Sequence, residues 1–168
     1  GTGGSSALAV ALAAALARLL GRPLRRAALI EYAKAVETQA IKVPTGYQDY
    51  VAAAYGGASE IRYGLGGMER RPLGSAGFLA DLERHVMLLY TGRPRFSGAN
   101  NWELFKRHVE GDRRTVALFE ALKDNAISMR SAFLKQDVAR IADLLNRDWE
   151  IRRPALPAMS SPAIDRLI

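Results

Sequence analysis

The sequence begins "GTGGSSALAVALAAALARLL" (residues 1–20), a glycine and serine cluster that runs directly into fourteen residues dense in alanine and leucine. Ala and Leu are strong intrinsic helix formers, so residues 7–20 are expected to be helical, with Gly21 and Pro23 ending the helix. A glycine-rich turn ahead of a helix exposes backbone N–H groups at the positive end of the helix dipole, where a polyphosphate can approach without side chains in the way. Gly1, Thr2, Gly3 and Gly4 would form that turn, and Ser5 and Ser6 add hydroxyls for a phosphate oxygen or Mg²⁺. No Lys follows the glycines, which excludes the Walker pattern. Taken alone, the cluster reads equally well as a plain helix start with serine N-capping.

Working outward, a second helix is expected from about Leu24 to Ile41, stopped by Pro44. The loop "VPTGYQDY" (43–50) then leads to a short Ala-rich helix closed by Gly56 and Gly57. Glu37 on the second helix and Asp49 at the start of the third element are two carboxylates that phosphoryl transfer can use. One holds the metal and the other orients or deprotonates an attacking hydroxyl. By spacing alone they are also read as a solvated helix residue and an N-cap.

"SEIRY" (59–63) and "MERRPL" (68–73), separated by "GLGG" (64–67), read as a β-hairpin, and "HVMLLYTG" (85–92) as a third strand buried on both faces. From Asn100 onward strands give way to helical spacing. Val116, Phe119, Leu122, Ala126, Met129 and Phe133 form one apolar stripe, and Val138, Ile141, Leu145 and Trp149 another, with a break near Gln136 and Asp137. "RRPALPAMSSPAID" (152–165) reads as a proline-rich connector, with Ser161 capping a last helix.

The totals narrow the function classes. At 168 residues and 49% apolar content the chain is globular; it has no cysteine and only His85 and His108, which leaves no thiolate zinc site or disulfide framework. The net charge of +7 is spread singly or in pairs, without a basic-aromatic tract, and this favours small anionic ligands over nucleic acid; an arginine-rich surface without function reads the same way. Residues 7–20 are too short to cross a bilayer of roughly 30 Å. No membrane and no nucleic acid are therefore expected as partners, and a cytoplasmic location fits.

"GTGGSSA" is similar to the second conserved motif of the GHMP kinases, the group of galactokinase, homoserine kinase and mevalonate kinase, usually written G-L-G-S-S-A-A. The twelve-residue step from Glu37 to Asp49 matches that family's spacing between metal-ligand Glu and catalytic Asp. "GYQDYVAAAYGG" (46–57), "LLYTGRPRFSG" (88–98) and residues 144–168 most resemble the branch that includes heptose 7-phosphate kinase. Thr2 stands where Leu is usual, and Tyr50 follows Asp49 where Gln is commoner, a change placed in a loop that could alter nucleotide or sugar fit.

The resemblance implies an α/β (α+β) chain with the GHMP kinase fold. Residues 1–98 would form part of a ribosomal-S5-like N-terminal lobe, and residues 99–168 the helical part of a ferredoxin-like C-terminal lobe. It implies ATP and Mg²⁺ as cofactors, Gly1, Thr2, Gly3, Gly4, Ser5 and Ser6 around the phosphates, and Ser5 with Glu37 on the metal. Asp49 would accept the acceptor's proton, and Tyr47, Gln48 and Arg95 would touch a sugar phosphate. A homodimer is allowed for. The family's first and third motifs are not found, so the chain is expected to be an internal segment of a longer kinase. The alternatives are another GHMP kinase or a nucleotide-binding segment without turnover.

Overall fold

The computed structural model describes residues 3–89, 98–156, 160–162 and 164–166. It is a helix-dominated α/β chain whose described residues hold one two-stranded sheet. The chain divides into two compact units, Gly1–Pro72 and Leu73–Ile168.

In the first unit, α1 (Gly4–Leu19), α2 (Arg26–Ile41) and α3 (Gln48–Tyr55) pack on one another, and β1 (Ala58–Gly64) and β2 (Gly67–Leu73) form the expected hairpin. The first helix starts three residues before the alanine run because Gly3, at φ 71°, takes the left-handed conformation that turns the chain into the helix. It ends as composition dictates: Gly21, at φ 67°, donates to the Arg18 carbonyl and Arg22 to that of Ala17.

The core of this unit is Val10, Ala13, Leu29, Ile30, Ala33, Tyr50 and Val51, with Ile61 and Met68 from the hairpin packed against it. Alanine at 13 and 33 lets helices approach closely, while burial of Ile30 and Leu29 contributes about 1.5–3 kcal/mol each. The opposite side of α1 carries a second apolar band, Leu8, Leu12, Leu16 and Leu19, which is exposed.

The second unit contains α4 (Ala76–Arg84), α5 (Gly98–Val109), α6 (Arg113–Lys135) and α7 (Val138–Ala155). Side-chain caps set three of these helix starts: Ser75 accepts from the Phe78 amide at 3.2 Å, Asp112 from that of Thr115 at 2.8 Å, and Asp137 from that of Arg140 at 2.9 Å. Phe78, Ala132, Ile141 and Leu144 form the core, with the Phe78 and Phe133 rings edge to face at 5.9 Å. Phe119 of α6 meets Phe105 and His108 of α5, so that histidine packs on an aromatic ring. Asn125 is also buried; its Nδ2 donates to the Leu144 carbonyl at 3.0 Å, whereas its Oδ1 has no partner.

Three expectations are corrected here. Residues 85–89 are not strand: His85 caps the end of α4, and Val86, Met87, Leu88 and Leu89 are exposed, with no neighbouring strand to satisfy their backbone among the described residues. The remaining part of that stretch, residues 90–92, lies outside the described residues. In the helical stripes, Ile141 is buried and Met129, Phe133 and Val138 pack on the core as expected, but Leu144 is fully buried where Leu145, 58% exposed, was expected, and Asn125 is buried while Ala126 faces solvent. Finally, Arg152 and Arg153 belong to α7, whose last turns are held by Arg152 paired with both oxygens of Asp148 at 2.5 and 3.1 Å. Ser161 does cap a turn, accepting from the Ile164 amide at 3.3 Å.

Candidate active site

The site forms where the starts of α1 and α3 meet the C-terminal part of α2, at Glu37. In α1, the Ala7 amide makes the first backbone bond, to the Gly3 carbonyl, so the amides of Gly4, Ser5 and Ser6 precede the helical ladder. Gly3 makes no side-chain cap bond and no acidic residue of α1 itself occupies the first turn, so any negative charge at the positive end of the dipole comes from another element. A Cβ built on Gly3 would lie 3.4 Å from Cβ, Cγ and Oδ1 of Asp49, so the turn and the carboxylate of α3 are direct neighbours. Asp49 is exposed, in the first turn of α3, where a negative charge is favoured by that helix's own dipole.

Glu37 sits on α2, half-buried, and receives two hydroxyls on the same oxygen: Tyr50 Oη donates to Oε2 at 2.6 Å and Ser6 Oγ at 3.4 Å. Thr45 Oγ1 lies 3.2 Å from Tyr50 Oη, and Thr38 Oγ1 is 2.9 Å from Thr45 Oγ1. Burial, reinforced by the neighbouring Glu37 carboxylate, pushes the Tyr50 hydroxyl above its ordinary pKa and keeps it a proton donor at neutral pH.

Gly3, Gly4, Ser5, Ser6, Glu37 and Asp49 thus come from three helices to one end of the unit. Ser6, not Ser5, is the serine against Glu37; Ser5 is exposed. Gln48 is exposed with its amide folded against Gly46. Tyr47 is engaged on the side: its hydroxyl donates to Glu31 at 3.0 Å, Lys34 Nζ lies 4.6 Å above its ring, and Tyr63 of β1 packs beside it. Burial and the Glu31 carboxylate raise the Tyr47 pKa, while burial raises that of Tyr63. Gly1, Thr2 and Arg95 lie outside the described residues.

Tyr50 is the residue that the sequence reading misplaced. It is a helical residue, 1% exposed, with its ring in the core and its hydroxyl on Glu37. The signal was present: Tyr47, Tyr50, Val51 and Ala54 recur at three- and four-residue steps and all face the core of this unit.

The donor set also passes a chemical test for a hard cation. A serine hydroxyl and a carboxylate are oxygen ligands of the kind Mg²⁺ takes with phosphates, and no group of three or more His, Cys, Asp or Glu competes for a softer metal among the described residues. No helix among the described residues is long and apolar enough to cross a membrane.

Residues 1–57 match the family model described as the GHMP kinases N terminal domain. Across 99% of its length the chain is 28% identical to the D-glycero-alpha-D-manno-heptose 7-phosphate kinase of Campylobacter jejuni, covering 49% of that protein. Two Arabidopsis thaliana proteins are also similar. The bifunctional fucokinase/GDP-fucose pyrophosphorylase is 22% identical over 73% of this chain and 12% of its own length, and the probable glucuronokinase 2 is 28% identical over 66% and 31%. The chain therefore spans about half or less of the curated relatives it matches. No solved structure matches it.

Proposed function

We propose that the protein to which this chain belongs is an ATP-dependent kinase that transfers the γ-phosphoryl group to a sugar or sugar-phosphate hydroxyl, with heptose 7-phosphate as the favoured acceptor. The observation that carries the reading is the convergence of Gly3 with Asp49 and of Ser6 with Glu37 at one end of the helical layer. The amides of residues 4–6 bind nucleotide phosphates, and Asp49 takes the hydroxyl proton as its oxygen bonds to the γ-phosphorus. The bond from that phosphorus to the β,γ-bridging oxygen breaks, releasing ADP. Ser6, Ser5 and Glu37 hold the Mg²⁺ that, when bound, neutralises charge on the phosphates. Residues 1–98 and 99–168 then belong to two lobes of a larger enzyme.

The acceptor rests on a relative that matches 99% of this chain, a heptose 7-phosphate kinase; fucose and glucuronate, named in the two plant relatives, are the alternatives. The test is ATP consumption with each sugar in turn. Asp49→Ala is expected to lower turnover by about 10²–10⁴-fold while nucleotide affinity, read by calorimetry, stays within about twofold. Parental turnover in that variant refutes the assignment of Asp49. Nucleotide binding without turnover on any sugar supports a binding segment instead.

A further inference from the structure

Resting on the reading of Glu37 as a metal ligand, we infer that Tyr50 is a positioning residue that fixes the Glu37 carboxylate in one orientation toward the divalent cation accompanying the nucleotide. The geometry gives the reason. Tyr50 has one hydroxyl proton, and around it stand Glu37 Oε2 at 2.6 Å, Thr45 Oγ1 at 3.2 Å and the Ser6 hydroxyl. A carboxylate only accepts, so the shorter contact takes the Tyr50 proton. The Tyr50 hydroxyl has Thr45 Oγ1 as a second, longer contact, and Thr45 Oγ1 is hydrogen-bonded in turn to Thr38 Oγ1 at 2.9 Å.

The result is a connected set of hydroxyls, Thr38, Thr45 and Tyr50, that meets Glu37 at Oε2. Ser6 reaches the same oxygen, so Oε1 is left out of this network. Because the Tyr50 ring is locked in the core beside Val10, Ile30 and Val51, its hydroxyl cannot follow a rotating carboxylate. Glu37, on an otherwise solvent-accessible stretch of α2, is thereby held in one rotamer. The set also joins α2 to α3 through the 42–47 connection, tying the ligand to the helix that carries Asp49.

The experiment measures nucleotide affinity of the full chain by calorimetry across a Mg²⁺ series and without metal, together with melting temperature. Tyr50→Phe keeps the ring and removes the hydroxyl. It is expected to raise the Mg²⁺ concentration for half-maximal effect by about tenfold, as loss of an outer-shell partner does, with metal-free nucleotide affinity within about twofold. Added to Glu37→Gln, Tyr50→Phe is expected to cause no further change, because it acts only through that carboxylate.

Unchanged metal dependence in Tyr50→Phe, with Glu37→Gln impaired, overturns the role of Tyr50 alone. An equal loss on the Glu37→Gln background overturns it as well, since the effect is then merely structural. Unchanged metal dependence in Glu37→Gln itself overturns the ligand reading, and this inference falls with it. Thr45→Val, which leaves both ring and phenol in place, gives an independent check: it is expected to move the metal dependence in the same direction by a smaller factor, and no movement in either variant counts against the proposal.

Discussion

Gly3 carries two constraints at once. Its φ of 71° is a conformation that an L side chain adopts at a cost of roughly 1–2 kcal/mol, and a Cβ there would stand in van der Waals contact with Asp49 at 3.4 Å. Gly4, one residue on, has neither: it lies inside α1 with nothing within 4 Å of a built Cβ. Gly3→Ala is therefore expected to destabilise the first unit by about 1–2 kcal/mol and, where the strained backbone shifts the turn beside Asp49, to lower turnover about tenfold. Gly4→Ala is expected to be neutral or mildly stabilising. Melting curves and initial rates on the pair check both statements. The glycine cluster and the Glu37 to Asp49 spacing were readable as sequence because they depend on residue type and step. That Ser6 and not Ser5 turns toward Glu37 was not, since both serines lie in the first turn and only the packing of α1 on α2 decides which is inside.

Elements were most legible where caps and periodicity agreed. The α6 to α7 break at Gln136 and Asp137 was readable because Asp137 is a good N-cap, and Gln136, at φ 56°, closes α6. The missed α4 shows the converse: an apolar run beginning at Val86 drew the strand assignment, although the preceding Ser75 caps a helix that ends at Arg84. The Asp112 cap of α6 leads to a pH prediction. The Thr115 hydroxyl, then its amide, hold the Asp112 carboxyl below its usual pKa. A depressed folded-state value contributes stability above the unfolded value near 3.9, and that contribution disappears as pH falls through the depressed one. Acidification from about pH 5 to pH 2 is thus expected to weaken helix α6 more in the wild type than in Asp112→Asn. Thermal melts followed by far-ultraviolet circular dichroism over that range make the comparison.

At the scale of the molecule the described residues form two cores, one of three helices with a hairpin and one centred on the α6 and α7 pair. Helical periodicity located the second core to within one residue but chose Leu145 where the chain buries Leu144. Adjacent leucines cannot be separated by period alone, because an α-helix advances about 100° per residue and each lies near the edge of the same apolar arc. The structure makes the choice testable. Leu144→Ala is expected to cost about 2–5 kcal/mol, against less than about 0.5 kcal/mol for Leu145→Ala, in denaturant titrations of the two variants.

The half-satisfied amide of Asn125 bears on how that helix pair finds its alignment. Greasy helices slide past one another with modest change in energy, so a seam lined only with leucine and alanine tolerates several axial settings. An amide nitrogen clasping the Leu144 carbonyl does so at one setting alone; a slip by one turn strands both ends of the amide in a dry interior. Asn125 therefore works as an index mark, trading some cohesion for a unique alignment of the two longest helices.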